Sequence, residues 1–376
     1  MSSKELKDFS LWCDFVEREF LECEFGRLLE QSKFVGATSN PSIFASAIGT
    51  SGAYKDDLER LKGKNAKEKY EELAITDIAL AADKLEPLYR VNKDCGFISI
   101  EIDPMLCDDV SASVSEGRRL YESIGKENVM IKVPATQAGY AIMGELAKAG
   151  IHINATLIFS QEQARQCAIV LNENLRNDAR GVISVFVSRF DSVVDTSSQA
   201  HLIKSCFVDS FARLLDSVDS REFSAKSSAD FAPCPALGVL NAFACYDEIE
   251  QVANPHIRTL FASTGAKLEG LNKDYYITNL VAPHCVNTAP LATIEAFWER
   301  ANSANGVERI FRWQSEQGSG QGGKQVGEQG KKALESIAKL NLGGKSLSQI
   351  QNALLSNGLQ AFKDAFLQML KHLSAK

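Results

Sequence analysis

Paired cysteines are missing from this chain. Its nine cysteines (Cys13, Cys23, Cys95, Cys107, Cys167, Cys206, Cys234, Cys245 and Cys285) stand singly, with no Cys-x-x-Cys pair and no regular zinc-ligand spacing. That excludes a zinc finger or ribbon and leaves the thiols as small buried hydrophobes. The five histidines (His152, His201, His256, His284 and His372) fall into no His-x-His, His-x3-His or His-x2-Glu pattern, so no metal is expected. No glycine-rich dinucleotide or Walker-type loop follows a strand pattern; Gly318-Ser-Gly-Gln-Gly-Gly323 sits in a polar tract and reads as a linker. There is no long uncharged apolar run and no basic-then-apolar leader, and the cysteine count is odd, so the expected setting is the reducing cytoplasm. A formal net charge of −7 argues against a general affinity for nucleic acid or an anionic membrane. It leaves room for a local basic pocket, and the expected partner is a small molecule, with the protein acting as a monomer or homodimer.

What is present is ordinary in bulk and patterned in detail. Hydrophobic and charged fractions of 45% and 24% are those of a globular protein, and 376 residues suit either two domains or one large α/β barrel. Short apolar runs recur at Ser10–Phe15, Phe34–Thr38, Gly96–Ile102, Val129–Val133, Ile151–Phe159, Val182–Val187, Arg258–Ala262 and Tyr276–Ala282. Between them lie stretches with apolar residues three and four apart, such as Ala74, Ile78, Ala81, Ala82 and Leu85, or Ala164, Cys167, Ala168 and Leu171. Strands that alternate with helices form a parallel sheet. Eight of them, joined by right-handed crossovers, close most simply into a (β/α)8 TIM barrel, with an open doubly wound sheet as the competitor. A polar, glycine- and glutamine-rich tract over 314–332 reads as a flexible loop. Beyond it, Ala333–Leu340 and Ser348–Ser374 have helical periodicity, with Leu354, Leu355, Phe362, Phe366, Met369 and Leu370 available to pack on the barrel. The whole chain, 1–376, is expected to be one barrel domain with additional C-terminal helices over 333–376.

In Val129-Met-Ile-Lys-Val-Pro134 a single lysine interrupts an apolar strand. Alternation puts Met130, Lys132 and Pro134 on one face. Lys132 therefore faces solvent as an edge lysine, or the enclosed middle of a barrel. An enclosed setting favours a neutral amine, which attacks carbonyl carbon and forms Schiff bases. In a barrel the reacting groups sit at the C-terminal ends of the strands. Asp14, after the first strand, suits either a proton shuttle or a helix N-cap. Thr38, Ser39, Asn40 and Ser42 cluster after the second. Ser99, Glu101 and Asp103 share the polar parity of the third, and Asn154 and Thr156 that of the fifth, as a water-holding pair or a satisfied layer of the interior. Ser184, Phe186 and Ser188 share a face of the sixth strand, with Arg189 at its exit, and Ser263 and Lys267 follow the seventh. Arg189 and Lys267 suit a phosphate or stand as solvated surface charges.

Seven segments then resemble, in order, the transaldolase family, in its longer bacterial forms: Gly36-Ala-Thr-Ser-Asn-Pro-Ser-Ile-Phe44, Ile98-Ser-Ile-Glu-Ile-Asp-Pro104, Met130-Ile-Lys-Val-Pro-Ala-Thr136, Ile153-Asn-Ala-Thr-Leu-Ile-Phe-Ser160, Ile183-Ser-Val-Phe-Val-Ser-Arg189, Ala262-Ser-Thr-Gly-Ala-Lys267 and Leu280-Val-Ala-Pro-His-Cys-Val-Asn-Thr288. The resemblance implies a (β/α)8 barrel that moves a dihydroxyacetone unit between sugar phosphates through a Schiff base, without metal or organic cofactor. It implies Lys132 as nucleophile, Asp14 as general acid/base, and Glu101 and Thr156 as the pair that positions water. Asn40 and Asn154 would bind the three-carbon fragment, Ser184 and Phe186 would line the pocket, and Arg189, with Ser263 and Lys267, would bind phosphate. Two departures stand out. Ala37 and Ala155 occupy positions where many members have valine. Ser263-Thr-Gly-Ala-Lys267 stands where compact forms have Ser-Phe-Arg, so Lys267 takes the place of an arginine without its planar two-pronged contact. The 314–332 tract has no counterpart. A fructose-6-phosphate aldolase-like lyase and a catalytically idle sugar-phosphate-binding barrel are the alternatives.

Overall fold

The computed structural model describes residues 8–176, 178–194, 236–268, 271–302, 330–331 and 333–375. Eight parallel strands close into a barrel in chain order, β1 (Phe9–Cys13), β2 (Ala37–Thr38), β3 (Ile98–Glu101), β4 (Val129–Pro134), β5 (His152–Ile158), β6 (Gly181–Phe186), β7 (Ile257–Ala262) and β8 (Cys285–Ala289), with β8 pairing back onto β1. Around them run α1 (Pro41–Thr50), α2 (Ala66–Val91), α3 (Val110–Ile124), α4 (Gln137–Lys148), α5 (Gln161–Asn174), α6 (Ala236–Glu250) and α7 (Leu291–Ala301), followed by the long α8 (Leu347–Ser374). This is the (β/α)8 barrel with C-terminal helices that the alternation predicts. The outward residues of the strands, such as Ile98, Ile100, Ile131, Val133, Ile153 and Ile183, are buried beneath the helices, as a sheet covered on one face by helices requires. The apolar stripe of α2 (Ala74, Ile78, Ala81, Ala82, Leu85) is buried to the last residue.

Two strand expectations need correction. The eighth strand is not Tyr276–Ala282: Tyr275–Asn279 is a short helix, and β8 starts at Cys285. Tyr276, Ile277 and Leu280 are buried as one helical face. Pro283 brings no N–H to a ladder, and His284 turns the chain at φ +53°. The register onto both β7 and β1 then falls to Cys285-Val-Asn-Thr-Ala289. The second strand is also shorter than Phe34–Thr38, although its backbone keeps the pattern, since Val35 N donates to Leu11 O (2.8 Å) and Gly96 N to Val35 O (2.7 Å).

Helical periodicity beyond the barrel is borne out. Leu354, Phe362, Phe366 and Met369 of α8 are buried, Leu355 and Leu370 are partly so, and residues 333–338 are helical. Of the polar 314–332 tract, all but Gly330 and Lys331 lies outside the described residues. Among the described residues no helix is long and apolar enough to cross a membrane.

Candidate active site

The reacting layer is a product of strand register. Parallel pairing sets Glu101 beside Lys132 and Lys132 beside Asn154, so three inward side chains from β3, β4 and β5 are neighbours about 4.8 Å apart along the sheet. Lys132 is buried. Its Nζ donates to Ser39 O (2.9 Å) and stands 2.9 Å from Glu101 Oε1. That second contact is a buried ion pair, and Lys132 is the group that compensates the Glu101 carboxylate. Burial raises the proton affinity of Glu101, and the charge of Lys132 opposes the rise. The buried hydroxyl of Thr156 has no partner. A buried amine–carboxylate pair with an unpartnered hydroxyl lining the same pocket suits a site for water and a polar substrate.

A strained turn of chain follows Thr156. Leu157 has φ +60°, and the β5–β6 register shifts between Ala155 and Ile158. A leucine in the left-handed region is held there by its surroundings, and bulges of this kind re-aim side chains beside active sites. On the other side of Thr156, Lys132, Glu101 and Pro134 line a small pocket, with room for about one water, together with Leu359 and Phe362 of α8.

Asp14 is not a helix cap. Glu17 takes that place, accepting from the amides of Glu19 and Phe20. Asp14 instead accepts a hydrogen bond from Thr38 Oγ1 (2.6 Å), and Thr38 Oγ1 meets Thr288 Oγ1 at 2.7 Å. Burial raises the proton affinity of Asp14, while Thr38 and the charge of Lys132 lower it. Asn154 is the satisfied half of its pair, donating to Ser99 Oγ (3.2 Å) and accepting from Ser184 Oγ (2.7 Å). Asn40 accepts from Ile43 N (3.0 Å) as the N-cap of α1, with Pro41 at the first helical position, which leaves its NH2 group free of the cap.

Beyond this layer, β6 and β7 bring a second set together. Phe186 is buried, and the Arg189 guanidinium lies 5.4 Å from the centre of its ring. Ser188 Oγ meets Ser263 Oγ at 3.0 Å, and Ser188 N donates to Ser263 O at 3.1 Å, with Ser263 at φ +55°. The Arg189 turn is pinned by Asp191, which accepts from Gly238 N (3.1 Å) and Tyr276 Oη (3.0 Å). Among the described residues neither Arg189 nor Lys267 forms an ion pair. Arg189 is half-buried, and burial alone lowers its proton affinity, so a cation there is left uncompensated. Lys267 is exposed on the loop after β7.

The family profile described as Transaldolase/Fructose-6-phosphate aldolase matches residues 11–373 of this chain. The chain belongs to that family. It is 46% identical over 306 residues to the transaldolase of Campylobacter jejuni subsp. doylei, covering 78% of this chain and 83% of the relative. With the transaldolase of Helicobacter pylori it shares 40% identity over 367 residues, 97% of this chain and 99% of the relative. The protein is therefore an enzyme of the transaldolase family on a (β/α)8 barrel.

Within that family frame, several contacts at the site were not legible in the sequence, although Thr38 and Ser39 themselves stand in the polar cluster after the second strand. Ser39 carbonyl holds the lysine amine, and Thr38 and Thr288 hold Asp14. Thr288 was hidden because the eighth strand was drawn nine residues too early; the alternation in Cys285-Val-Asn-Thr288 carried the signal. Leu359 and Phe362 had no local signal at all, since helical periodicity marks them as packing residues without saying what they pack on.

Proposed function

We propose that this enzyme transfers a dihydroxyacetone unit from sedoheptulose 7-phosphate or fructose 6-phosphate to glyceraldehyde 3-phosphate or erythrose 4-phosphate, in the non-oxidative pentose phosphate pathway. The observation that carries the reading is Lys132, buried in the barrel with a carboxylate 2.9 Å from its amine and lining a small pocket with Thr156. The enzyme needs no metal or organic cofactor and works in the cytoplasm, as a monomer or homodimer.

The neutral amine is the nucleophile, so a proton leaves Lys132 as it attacks the keto carbon; Glu101, made a better base by burial, is placed to receive it. Water held between Glu101 and the unpartnered Thr156 hydroxyl shuttles protons as the carbinolamine loses water and becomes an iminium ion. Asp14 then takes the proton of the C4 hydroxyl, the C3–C4 bond breaks into the iminium, and an aldose leaves. The enamine stays on Lys132 until an acceptor aldehyde adds and hydrolysis frees the new ketose. Asn154 and Asn40 orient the three-carbon unit, and Ser184 and Phe186 line its pocket. Arg189, Ser263 and Lys267 take the distal phosphate, whose binding energy is used for positioning.

Borohydride trapping with fructose 6-phosphate and peptide mass spectrometry tests this. A three-carbon adduct on Lys132, absent from Lys132→Ala, is expected; an active, folded sample without adduct removes Lys132 from the mechanism. A lyase that releases dihydroxyacetone uses the same lysine, and the family description covers both activities. Free dihydroxyacetone formed at the full turnover rate without acceptor marks the lyase.

A further inference from the structure

The C-terminal helix α8 reaches the pocket beside Lys132. Leu359 and Phe362 line the small pocket that Lys132, Glu101 and Thr156 also line. Gly358 brings the middle of the helix down onto the barrel: a Cβ there would stand 3.0 Å from Leu157 Cδ2 and 3.7 Å from Phe159 Cε2. Leu157 is the left-handed residue that follows Thr156. On either side of this seat the helix is tied down. Gln351 Nε2 donates to Asn241 Oδ1 (3.1 Å), the Phe366 and Tyr70 rings meet edge-on at 5.5 Å, and Lys69 Nζ donates to Leu373 O (3.2 Å). The contact over the lysine is therefore made by an aliphatic and an aromatic side chain, held in place from both ends. Neither can hydrogen-bond water, and Ile102, Pro104 and Pro134 add further apolar surface around Lys132, Glu101 and Thr156.

The enamine on Lys132 has two fates. In transfer, its C=C electron pair forms the bond to the acceptor's carbonyl carbon, and the carbonyl oxygen takes a proton to become a hydroxyl. In lysis the same pair takes a proton from water, and the remaining hydroxide hydrolyses the iminium to dihydroxyacetone and the free amine, one water being consumed in all. We infer that Leu359 and Phe362 set the choice between these fates, by keeping water from the enamine carbon until an acceptor arrives. This inference rests on the Schiff-base reading of Lys132.

The test uses the full chain, with Leu359→Ala, Phe362→Ala and, as control, Leu367→Ala, which sits on the same helix at 47% exposure. Each is given fructose 6-phosphate with and without erythrose 4-phosphate. The readouts are free dihydroxyacetone, transfer product, and the borohydride adduct on Lys132. Release relative to transfer is expected to rise by about tenfold in the two wall variants, the low end of what a few methylenes in a pocket discriminate. It stays at the parent value in Leu367→Ala, and the adduct forms in all. An unchanged ratio in the wall variants, with the adduct still forming, overturns the inference and leaves the Schiff-base reading standing. Loss of the adduct from the parent itself overturns both. Should Phe362→Ala not fold, the half-buried Leu359 carries the same comparison.

Discussion

Replacing Gly139 by alanine sets two effects of opposite sign against each other. Gly139 lies in the first turn of α4, where its amide donates to Thr136 Oγ1 (3.0 Å). In a free helix the change would stabilise by about 1 kcal/mol, because alanine is the better helix former. Here the new Cβ would stand 1.9 Å from the carbonyl oxygen of Pro134, against a closest real approach of 3.0 Å. Backbone meets side chain, so nothing flexible can give way, and the start of α4 or the end of β4 must move by about 1 Å. Overpacking of this kind costs about 1–3 kcal/mol, and a rigid carbonyl puts it at the upper end, for a net loss of about 2 kcal/mol. Pro134 is two residues from Lys132 and lines the same cavity, so the shift reaches the amine. A misplacement of about 1 Å lowers rate by roughly a hundredfold. Urea denaturation of parent and variant gives the first quantity, and kcat/KM for transfer the second. A Gly139→Ala protein that is more stable than the parent, with unchanged kcat/KM, refutes the claim that this close approach fixes the end of β4.

Three further outcomes are expected. Glu101→Gln keeps the shape of the reacting layer but removes its base, so formation of the Lys132 adduct in quenched-flow trapping slows by about 10²–10⁴-fold; an unchanged rate would take Glu101 out of the proton transfers. His152 is buried at the other end of β5, where its Nδ1 accepts from Arg180 N (2.8 Å), and burial, then the charge of Arg180, lowers its pKa from 6.5 to about 4. The folded state holds it neutral, so its contribution is complete above the unfolded value and is lost as pH falls from 6.5 to about 4. That amounts to about 3 kcal/mol and is absent from the pH dependence of His152→Gln stability; parallel curves for the two proteins would contradict it. Asp77, fully buried, accepts from Tyr54 Oη (2.7 Å) and from Arg18 Nε. Asp77→Ala leaves Arg18 with Asp57 alone and costs about 3 kcal/mol, read as a lower urea midpoint at unchanged slope.

Some of this protein was legible one residue at a time. A charged or polar side chain on an apolar strand has a parity: parity set Lys132, Glu101, Asn154, Thr156 and Ser184 on the faces opposite the apolar ones, and barrel closure turned those faces inward. The alternation of strand and helix called for a closed parallel barrel. Where the reading went wrong, two local patterns competed: Tyr276–Ala282 is apolar enough for a strand, but Pro283 and the left-handed His284 hand the ladder to Cys285–Ala289. Asp14 illustrates a different limit, because the choice between cap and proton carrier lay with Glu17 and Thr38.

Which residues share a face follows from a two-residue period that any segment carries by itself. Which inward groups touch depends on register between strands far apart in the chain, and on closure of β8 onto β1. That is why the lysine, its carboxylate and its hydroxyl could be found in the sequence, whereas the grip of Ser39 on the amine and of Thr38 and Thr288 around Asp14 could not. The roof of Leu359 and Phe362 lies still further out of reach. It comes from the last helix, more than 200 residues beyond Lys132, and only burial of that helix's apolar face against the barrel mouth decides which of its side chains look down on the amine.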